Sequence, residues 1–145
     1  MNHVLLSDPK GKLLTCCITG RGKTRYADIQ LLCVGKPKSR MYEQFGWIYT
    51  PALAPSPELV THTKIQQKKM RLEWWNFYKD SLLTEWESSK EFYSSLSEVV
   101  SFLQQGKTVA VACYCPSVRR SRCHLSILAD IVRDLGYETQ ELPDV

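Results

Sequence analysis

The chain has 145 residues, of which 43% are hydrophobic and 23% charged, and its formal net charge is +4. That length suits one globular domain over residues 1–145, and the composition is ordinary for such a domain. No stretch approaches the roughly 20 apolar residues of a membrane span, and the apolar core of the start, MNHVLLSDPKG, is too short for a signal peptide. The sequence therefore predicts a cytoplasmic protein, with a modest positive charge that suits an anionic ligand or nucleic acid.

The surroundings of the six cysteines divide them into two groups. A disulfide scaffold is not expected, because such scaffolds belong to short secreted chains and this sequence shows no export signal. Three cysteines in apolar runs are expected to be small buried hydrophobic residues: Cys16, Cys17 and Cys33. The other three lie among polar and charged residues and are candidates for chemistry: Cys113, Cys115 and Cys123.

The first part of the chain predicts two strands, at residues 13–19 and 29–34, joined by the basic loop GRGKTRYAD. Because a parallel crossover needs a longer connection, we expect a hairpin or an irregular link between these strands. The loop contains Gly22-Lys23-Thr24 but lacks the glycine spacing of a phosphate-binding P-loop. This favours a solvated turn over an anion-contacting loop.

A second basic turn, GKPKSR, follows the second strand, and its cations are Lys36, Lys38 and Arg40. If that strand runs parallel to the later strand that ends at Cys113, the loops after both strands lie on one edge of the sheet. An anionic ligand would then meet basic side chains from both loops. Residues 41–47 next suggest a short helix, and residues 47–49 an extended segment.

Helical segments follow the proline-rich stretch TPALAPSPEL, whose Ser56 is either an ordinary helix cap or part of a ligand pocket. The first helical stretch carries basic and then aromatic side chains: Lys64, Lys68, Lys69, Arg71, Trp74, Trp75, Phe77 and Tyr78. Interleaved charge and aromatic rings can bind single-stranded nucleic acid, but the aromatic spacing also fits a buried helix face, which we favour. A further helix is predicted over residues 85–103, with buried Phe92, Leu96, Val99, Val100 and Leu103.

The stretch from residue 106 to residue 136 predicts a strand, a polar loop and a helix. Residues 109–113 form an apolar run typical of a strand buried on both faces, and ligands of open α/β sheets bind at the carboxyl ends of such strands. Ser121 or Cys123 begins the helix, which keeps apolar helical spacing up to a cap at Gly136. Residues 137–142 alternate in strand fashion and predict an edge strand.

The loop between this strand and helix carries the candidate catalytic side chains. A helix amino terminus attracts anions and favours the thiolate of a nearby cysteine. Three arginines add positive charge suited to a phosphate or carboxylate: Arg119, Arg120 and Arg122. The nucleophile is one of three cysteines, with a histidine as its base or orienting partner: Cys113, Cys115, Cys123 and His124. The same four residues are soft ligands for a structural zinc ion, although their spacing is not that of a zinc knuckle.

This pattern resembles the carboxyl-terminal signature of the domain-of-unknown-function 488 (DUF488) family, in which an apolar strand ends in Cys and a Cys-His pair precedes a helix. Here it stands as VAVACYC, PSVRRSR and CHLSILADIV. A second match, LAPSPEL followed by WWNFYKDSL, extends the resemblance to roughly residues 33–142. The chain departs from the family pattern at Leu125, where Arg is common, and in a longer loop richer in arginine. The resemblance implies a cytosolic α/β fold with a cysteine-containing pocket, and no established reaction.

We therefore expect a single α/β domain, Rossmann-like, with a largely parallel sheet flanked by helices. The leading functional interpretation is an enzyme that acts on an anionic nucleotide- or nucleobase-type ligand and needs no cofactor. Lys36, Arg40 and Ser56 would join the three arginines in binding that ligand. The alternatives are a noncatalytic module that holds a nucleotide or a nucleic-acid end, and a zinc-stabilised interaction domain.

Overall fold

A computed structural model describes residues 10–18, 27–70, 73–114 and 122–142. Three residues of the predicted site lie outside these ranges, namely Cys115, Arg119 and Arg120. The same is true of most of the basic loop after the first strand, at residues 19–26.

The described strands form one five-stranded parallel sheet, in the order β3-β2-β4-β1-β5. The strands are β1 (Lys12–Cys17), β2 (Ile29–Leu32), β3 (Ile48–Tyr49), β4 (Thr108–Cys113) and β5 (Glu138–Glu141). Helices flank this sheet, so the predicted α/β fold with a largely parallel sheet is confirmed. The predicted edge strand is β5, which pairs with β1.

Four α-helices and two short 3-10 helices account for most of the remaining described residues. The α-helices are α1 (Pro57–Met70), α2 (Trp74–Glu87), α3 (Lys90–Gln104) and α4 (His124–Asp134). The 3-10 helices are η1 (Arg40–Phe45) and η2 (Pro51–Leu53). Within the described parts of the chain, no helix combines the length and apolar character needed to cross a membrane.

The predicted helix over residues 85–103 was wrong at its start, because α2 continues to Glu87 and α3 begins at Lys90. Ser89 caps the amino terminus of α3, because its hydroxyl accepts a hydrogen bond from the N–H of Phe92 at 3.1 Å. The spacing of apolar residues in the sequence does not reveal this break, because buried residues continue on both sides of it. Trp86 and Phe92 are both buried, and their rings stack across it with centroids 4.4 Å apart.

Strand β4 lies at the centre of the sheet and pairs in parallel with β1 on one side and β2 on the other. Of the two alternatives predicted between the first two strands, the hairpin was therefore wrong, because β4 separates them; most of the link itself lies outside the described residues. The eleven residues between Cys17 and Ile29 reach the lower limit of a parallel crossover of about ten to twelve residues. The side chains of β4 from Val109 to Ala112 are fully buried, as predicted from the apolar run.

The core lies between the sheet and the helices packed against it. Helix α4 packs on β1, β4 and β5, and α3 packs on β4. Fully buried residues of these elements include Leu13, Val99, Val109, Leu125 and Leu128. Each such side chain contributes roughly 1.5 to 3 kcal/mol by leaving water, so this packing fixes where the carboxyl ends of the strands lie.

Gly11, just before β1, lies where a side chain cannot fit. A Cβ atom built on Gly11 would stand 1.9 Å from the carbonyl oxygen of Lys107 and 3.0 Å from the Cα of Leu103. Backbone must therefore move, and Gly11→Ala is expected to lower the free energy of unfolding by about 1 to 3 kcal/mol. Guanidinium denaturation measures this loss. Gly35→Ala is the matched control, because its Cβ meets only the Pro55 carbonyl oxygen at 3.9 Å; equal stability losses in both variants would contradict the packing described here.

Candidate functional site at the carboxyl edge of the sheet

The turn after β2 and the end of β4 meet at one edge of the sheet, because the two strands are parallel. Tyr114, the first residue after β4, accepts a hydrogen bond on its hydroxyl from the backbone N–H of Lys38 at 2.7 Å. The Nζ of Lys38 also lies 4.5 Å from the centre of the Tyr114 ring, a cation–π contact. The turn itself is held by Tyr49, whose hydroxyl donates to the Gly35 carbonyl oxygen. One predicted cation of this turn is thus placed over the end of the central strand.

A cavity of about 230 Å³ opens at this edge. The described residues that line it are Ile18, Lys38, Ser39, Met41, Tyr42, Phe45, Trp47 and Tyr114. They come from the chain just after β1, the turn after β2, the helix η1 and the end of β4. Four of the eight are aromatic, and Lys38 supplies a positive charge. The cavity therefore suits a planar ring with a negative group.

Two thiols and an imidazole form a buried cluster where β4 ends and α4 begins, and none of the three residues lines the cavity. Cys113 is the last residue of β4, Cys123 is the N-cap of α4, and His124 is the first residue of that helix. The Sγ atoms of Cys113 and Cys123 lie 3.4 Å apart, and Cys123 Sγ lies 3.6 Å from His124 Nδ1. The exposed fractions of these residues are 1%, 3% and 8%. Cys123 has an extended backbone at the cap position of α4, and its side chain makes no capping hydrogen bond to the start of the helix.

A hydrogen bond to the backbone fixes the orientation of the His124 ring. Its Nε2 lies 2.7 Å from the carbonyl oxygen of Cys33, just past the end of β2. A carbonyl oxygen can only accept, so Nε2 carries the proton. In the neutral ring Nδ1 is then the nitrogen with a lone pair, and it faces the Cys123 thiol. The sequence alone gave no signal for this partner, because Cys33 contributes its backbone and not its side chain.

The thiol of Cys33 is fully buried and lies near the sulfur of Cys123. Burial raises the pKa of the Cys33 thiol far above its usual range, and the neighbouring sulfurs of Cys123 and Cys16 raise it further. A backbone hydrogen bond at Ala112 lowers it only in part. Cys33 therefore keeps its proton where an ordinary thiol would ionise.

The predicted ligand-binding residues are distributed around the edge rather than gathered at one point. Arg122 is exposed just before the cap of α4, and Lys36 is exposed in the turn after β2. Arg40 forms an exposed ion pair with Glu43 at 3.3 Å. The Ser56 hydroxyl caps α1 by accepting from the N–H of Leu59 at 3.1 Å, and it donates to Glu85 at 2.5 Å. Lys36, Arg40 and Ser56 do not line the cavity described above.

The sequence analysis missed the aromatic lining of the cavity: Tyr42, Phe45, Trp47 and Tyr114. Tyr114 lies inside the VAVACYC motif, and its position directly after a buried strand was a usable signal. The other three lie in a segment that was predicted only as a short helix and an extended stretch. The core interpretation of the aromatic residues of α2 holds in part. Tyr78 is buried, whereas Phe77 is 47% exposed.

Three residues of the cluster are also arranged as ligands for a metal ion. One ligand atom from each of Cys113, Cys123 and His124 lies within 4.8 Å of the other two. Two sulfurs and one imidazole nitrogen suit a soft or borderline cation such as zinc. Adjacent Cys and His seldom share an ion, but here the helix start turns both side chains toward Cys113.

Comparison with protein-family models gives one match, the model DUF488-N3a, described as "Active DUF488-N3 subclade", over residues 18–136. The chain belongs to the DUF488 family. The resemblance drawn from the sequence is thereby confirmed, and the match includes β2, β3, β4, α4 and the whole Cys-His cluster. No curated protein matches the chain.

The raised pKa of Cys33 predicts how the stability of this DUF488 protein depends on pH. Above about pH 8.5 the unfolded chain loses the Cys33 proton while the folded chain keeps it, so ionisation favours unfolding. Cys33 should therefore contribute a decline of about 1.4 kcal/mol per pH unit in the free energy of unfolding above that pH. Urea denaturation from pH 7 to pH 10 measures the slope. Cys33→Ala should reduce it, whereas an undiminished slope would argue against a protonated Cys33.

Proposed function

We propose that this DUF488-family chain is a cytoplasmic, cysteine-dependent enzyme that acts on an anionic nucleotide- or nucleobase-type ligand at the carboxyl edge of its sheet. One observation carries the proposal: Cys123 Sγ lies 3.6 Å from His124 Nδ1, and the opposite ring nitrogen is held by the Cys33 carbonyl oxygen. A nucleophile, a base and a group that orients the base are the parts of an activated cysteine.

In this mechanism Cys123 is the nucleophile and His124 is the base. Nδ1 of His124 takes the thiol proton, and the amino terminus of α4 stabilises the thiolate. The sulfur forms a bond to an electrophilic carbon of the ligand while the bond from that carbon to its leaving group breaks. The proton on Nδ1 goes to the leaving group, and water then cleaves the sulfur–carbon bond with His124 again as the base. Backbone N–H groups at the start of α4 stabilise negative charge that develops on the ligand.

The ligand would lie with its ring in the aromatic cavity and its negative group near the cations of the edge. Exposed Phe45 and Met41 at the cavity, with the buried ring of Trp47, provide surface for a nucleobase. Lys38 is the described cation that lines the cavity. Lys36 and Arg40 are exposed and lie close to lining residues in the sequence, and Arg122 is exposed just before α4. Arg119 and Arg120 add the same charge to the loop that precedes α4.

The nucleophile is tested by the rate at which iodoacetamide alkylates the reduced protein between pH 5 and pH 9. Cys123 should react fastest, and its fast reaction should persist at pH values where an ordinary thiol is protonated. Cys123→Ser should abolish the fast phase. His124→Gln should raise the apparent pKa, because glutamine can still donate to the Cys33 carbonyl oxygen but cannot take a proton. Cys17→Ser, at the end of the adjacent strand β1, is the matched control and should leave the fast phase intact. Slow alkylation of every thiol would rule out the nucleophile and leave a binding module.

Ligand binding is tested separately by titration calorimetry with adenosine 5′-monophosphate, adenosine and inorganic phosphate. Because a charged hydrogen bond contributes about 1.5 to 3 kcal/mol, Lys38→Ala should weaken binding of the monophosphate about tenfold or more. Lys68→Ala is the control, since Lys68 is an exposed lysine of α1 that does not line the cavity. Equal affinity in all three proteins would place the anion elsewhere.

Binding of a zinc ion is the second candidate role of the same cluster. Two sulfurs bonded to one tetrahedral zinc at about 2.3 Å lie about 3.8 Å apart, close to the 3.4 Å between Cys113 and Cys123. The hydrogen bond from His124 Nε2 to a carbonyl oxygen is also the usual support of a histidine that binds metal through its other nitrogen. Metal analysis of the native protein decides between the two roles. One zinc per chain, lost in Cys113→Ser and kept in Cys17→Ser, would favour the metal.

A further inference from the structure

We infer that Cys113 and Cys123 are a site of reversible covalent modification, at which a hydroperoxide closes an intramolecular disulfide. The inference rests on the 3.4 Å between the two sulfur atoms and not on the proposed function, and it requires no bound ligand. It assigns Cys113 a role that the nucleophile mechanism leaves open.

The distance between the two sulfurs supports this inference. Their separation of 3.4 Å is about 1.4 Å longer than a disulfide bond of about 2.05 Å. Cys113 lies at the end of β4 and Cys123 at the cap of α4, ten residues later. Both side chains are already buried against each other, so they lose little further conformational freedom when the bond forms.

The two sulfurs have different chemical surroundings, which sets the order of the reaction. The sulfur of Cys123 lies 3.6 Å from Nδ1 of His124, a nitrogen that can accept the thiol proton. Cys113 ends a buried strand, and its sulfur faces the sulfur of Cys123. Cys123 is therefore the sulfur that is oxidised first, and Cys113 is the resolving thiol.

The other described thiols near the site compete less well than Cys113. Cys16 and Cys17 direct their thiols to the carbonyl oxygens of Val111 and Tyr114, each at 3.7 Å. Cys33 is fully buried, and its raised pKa makes it a weak nucleophile. Among the described residues, Cys113 is thus the thiol that a modified Cys123 meets. Cys115 lies outside them, and the experiment below must distinguish it.

The reaction has two balanced steps. The Cys123 thiolate attacks one oxygen of the hydroperoxide, the oxygen–oxygen bond breaks, and the departing oxygen leaves as an alcohol or water after taking a proton. This gives a sulfenic acid on Cys123. The Cys113 sulfur then attacks the Cys123 sulfur, and the hydroxyl group leaves as water with the Cys113 proton. Overall the two thiols are oxidised, the hydroperoxide is reduced, and an external thiol reverses the change.

The experiment treats the reduced full chain with hydrogen peroxide after removal of any metal by a chelator. Intact mass should fall by two hydrogens, the titratable thiols should fall by two, and dithiothreitol should restore both. Peptide mapping without reduction should find Cys113 joined to Cys123. Cys113→Ser should prevent the bond and let Cys123 proceed to a sulfinic acid, while Cys16→Ser, as the matched control, should still close it. Cys113→Ala repeats the test if the serine variant fails to fold.

The possible outcomes separate this inference from the proposed function. Fast alkylation of Cys123 without any peroxide-induced disulfide overturns the inference and leaves the nucleophile. A disulfide that joins Cys115 to Cys123, or one that persists in Cys113→Ser, also overturns it. A Cys113–Cys123 bond in a protein whose thiols alkylate slowly supports the modification site and overturns the nucleophile.

Discussion

The parallel pairing of β4 with both β1 and β2 is the constraint on which the rest of the structure depends. Because β4 is central and fully buried, its carboxyl end lies between the chain that leaves β1 and the turn that follows β2. Cys113 and Tyr114 occupy that end. The positions of the thiol cluster and of the aromatic cavity therefore both follow from this strand order. A hairpin between β1 and β2 would have paired these two strands directly, and β4 would not lie between them.

A single hydrogen bond then connects this framework to the chemistry. His124 belongs to α4, whereas the carbonyl oxygen that orients its ring follows β2. The contact spans two elements that are 91 residues apart in sequence, so it forms only when the sheet is complete. The orientation of the imidazole is thus a property of the folded sheet, because it depends on a contact between α4 and the residue that follows β2.

The fold was largely predictable because its signals are local. Four buried residues in a row in β4 and the glycine at the end of α4, which has φ of 99°, follow from short-range patterns. The candidate thiols and His124 were found from residue type and position. Strand order was not predictable in the same way, because loop length suggested a hairpin between β1 and β2. The Cys33 carbonyl was also beyond reach, since every residue offers a carbonyl and only tertiary packing selects one.

The two outer strands have a consequence for how copies of this protein meet. A sheet edge offers unpaired N–H and C=O groups on which another chain can build a fibril. Here one edge strand, β3, is only two residues long, and the other, β5, begins and ends in a glutamate. Short and negatively charged edges both discourage strand-by-strand growth. The described sheet can therefore stay open at both edges without offering either edge strand as a template for aggregation.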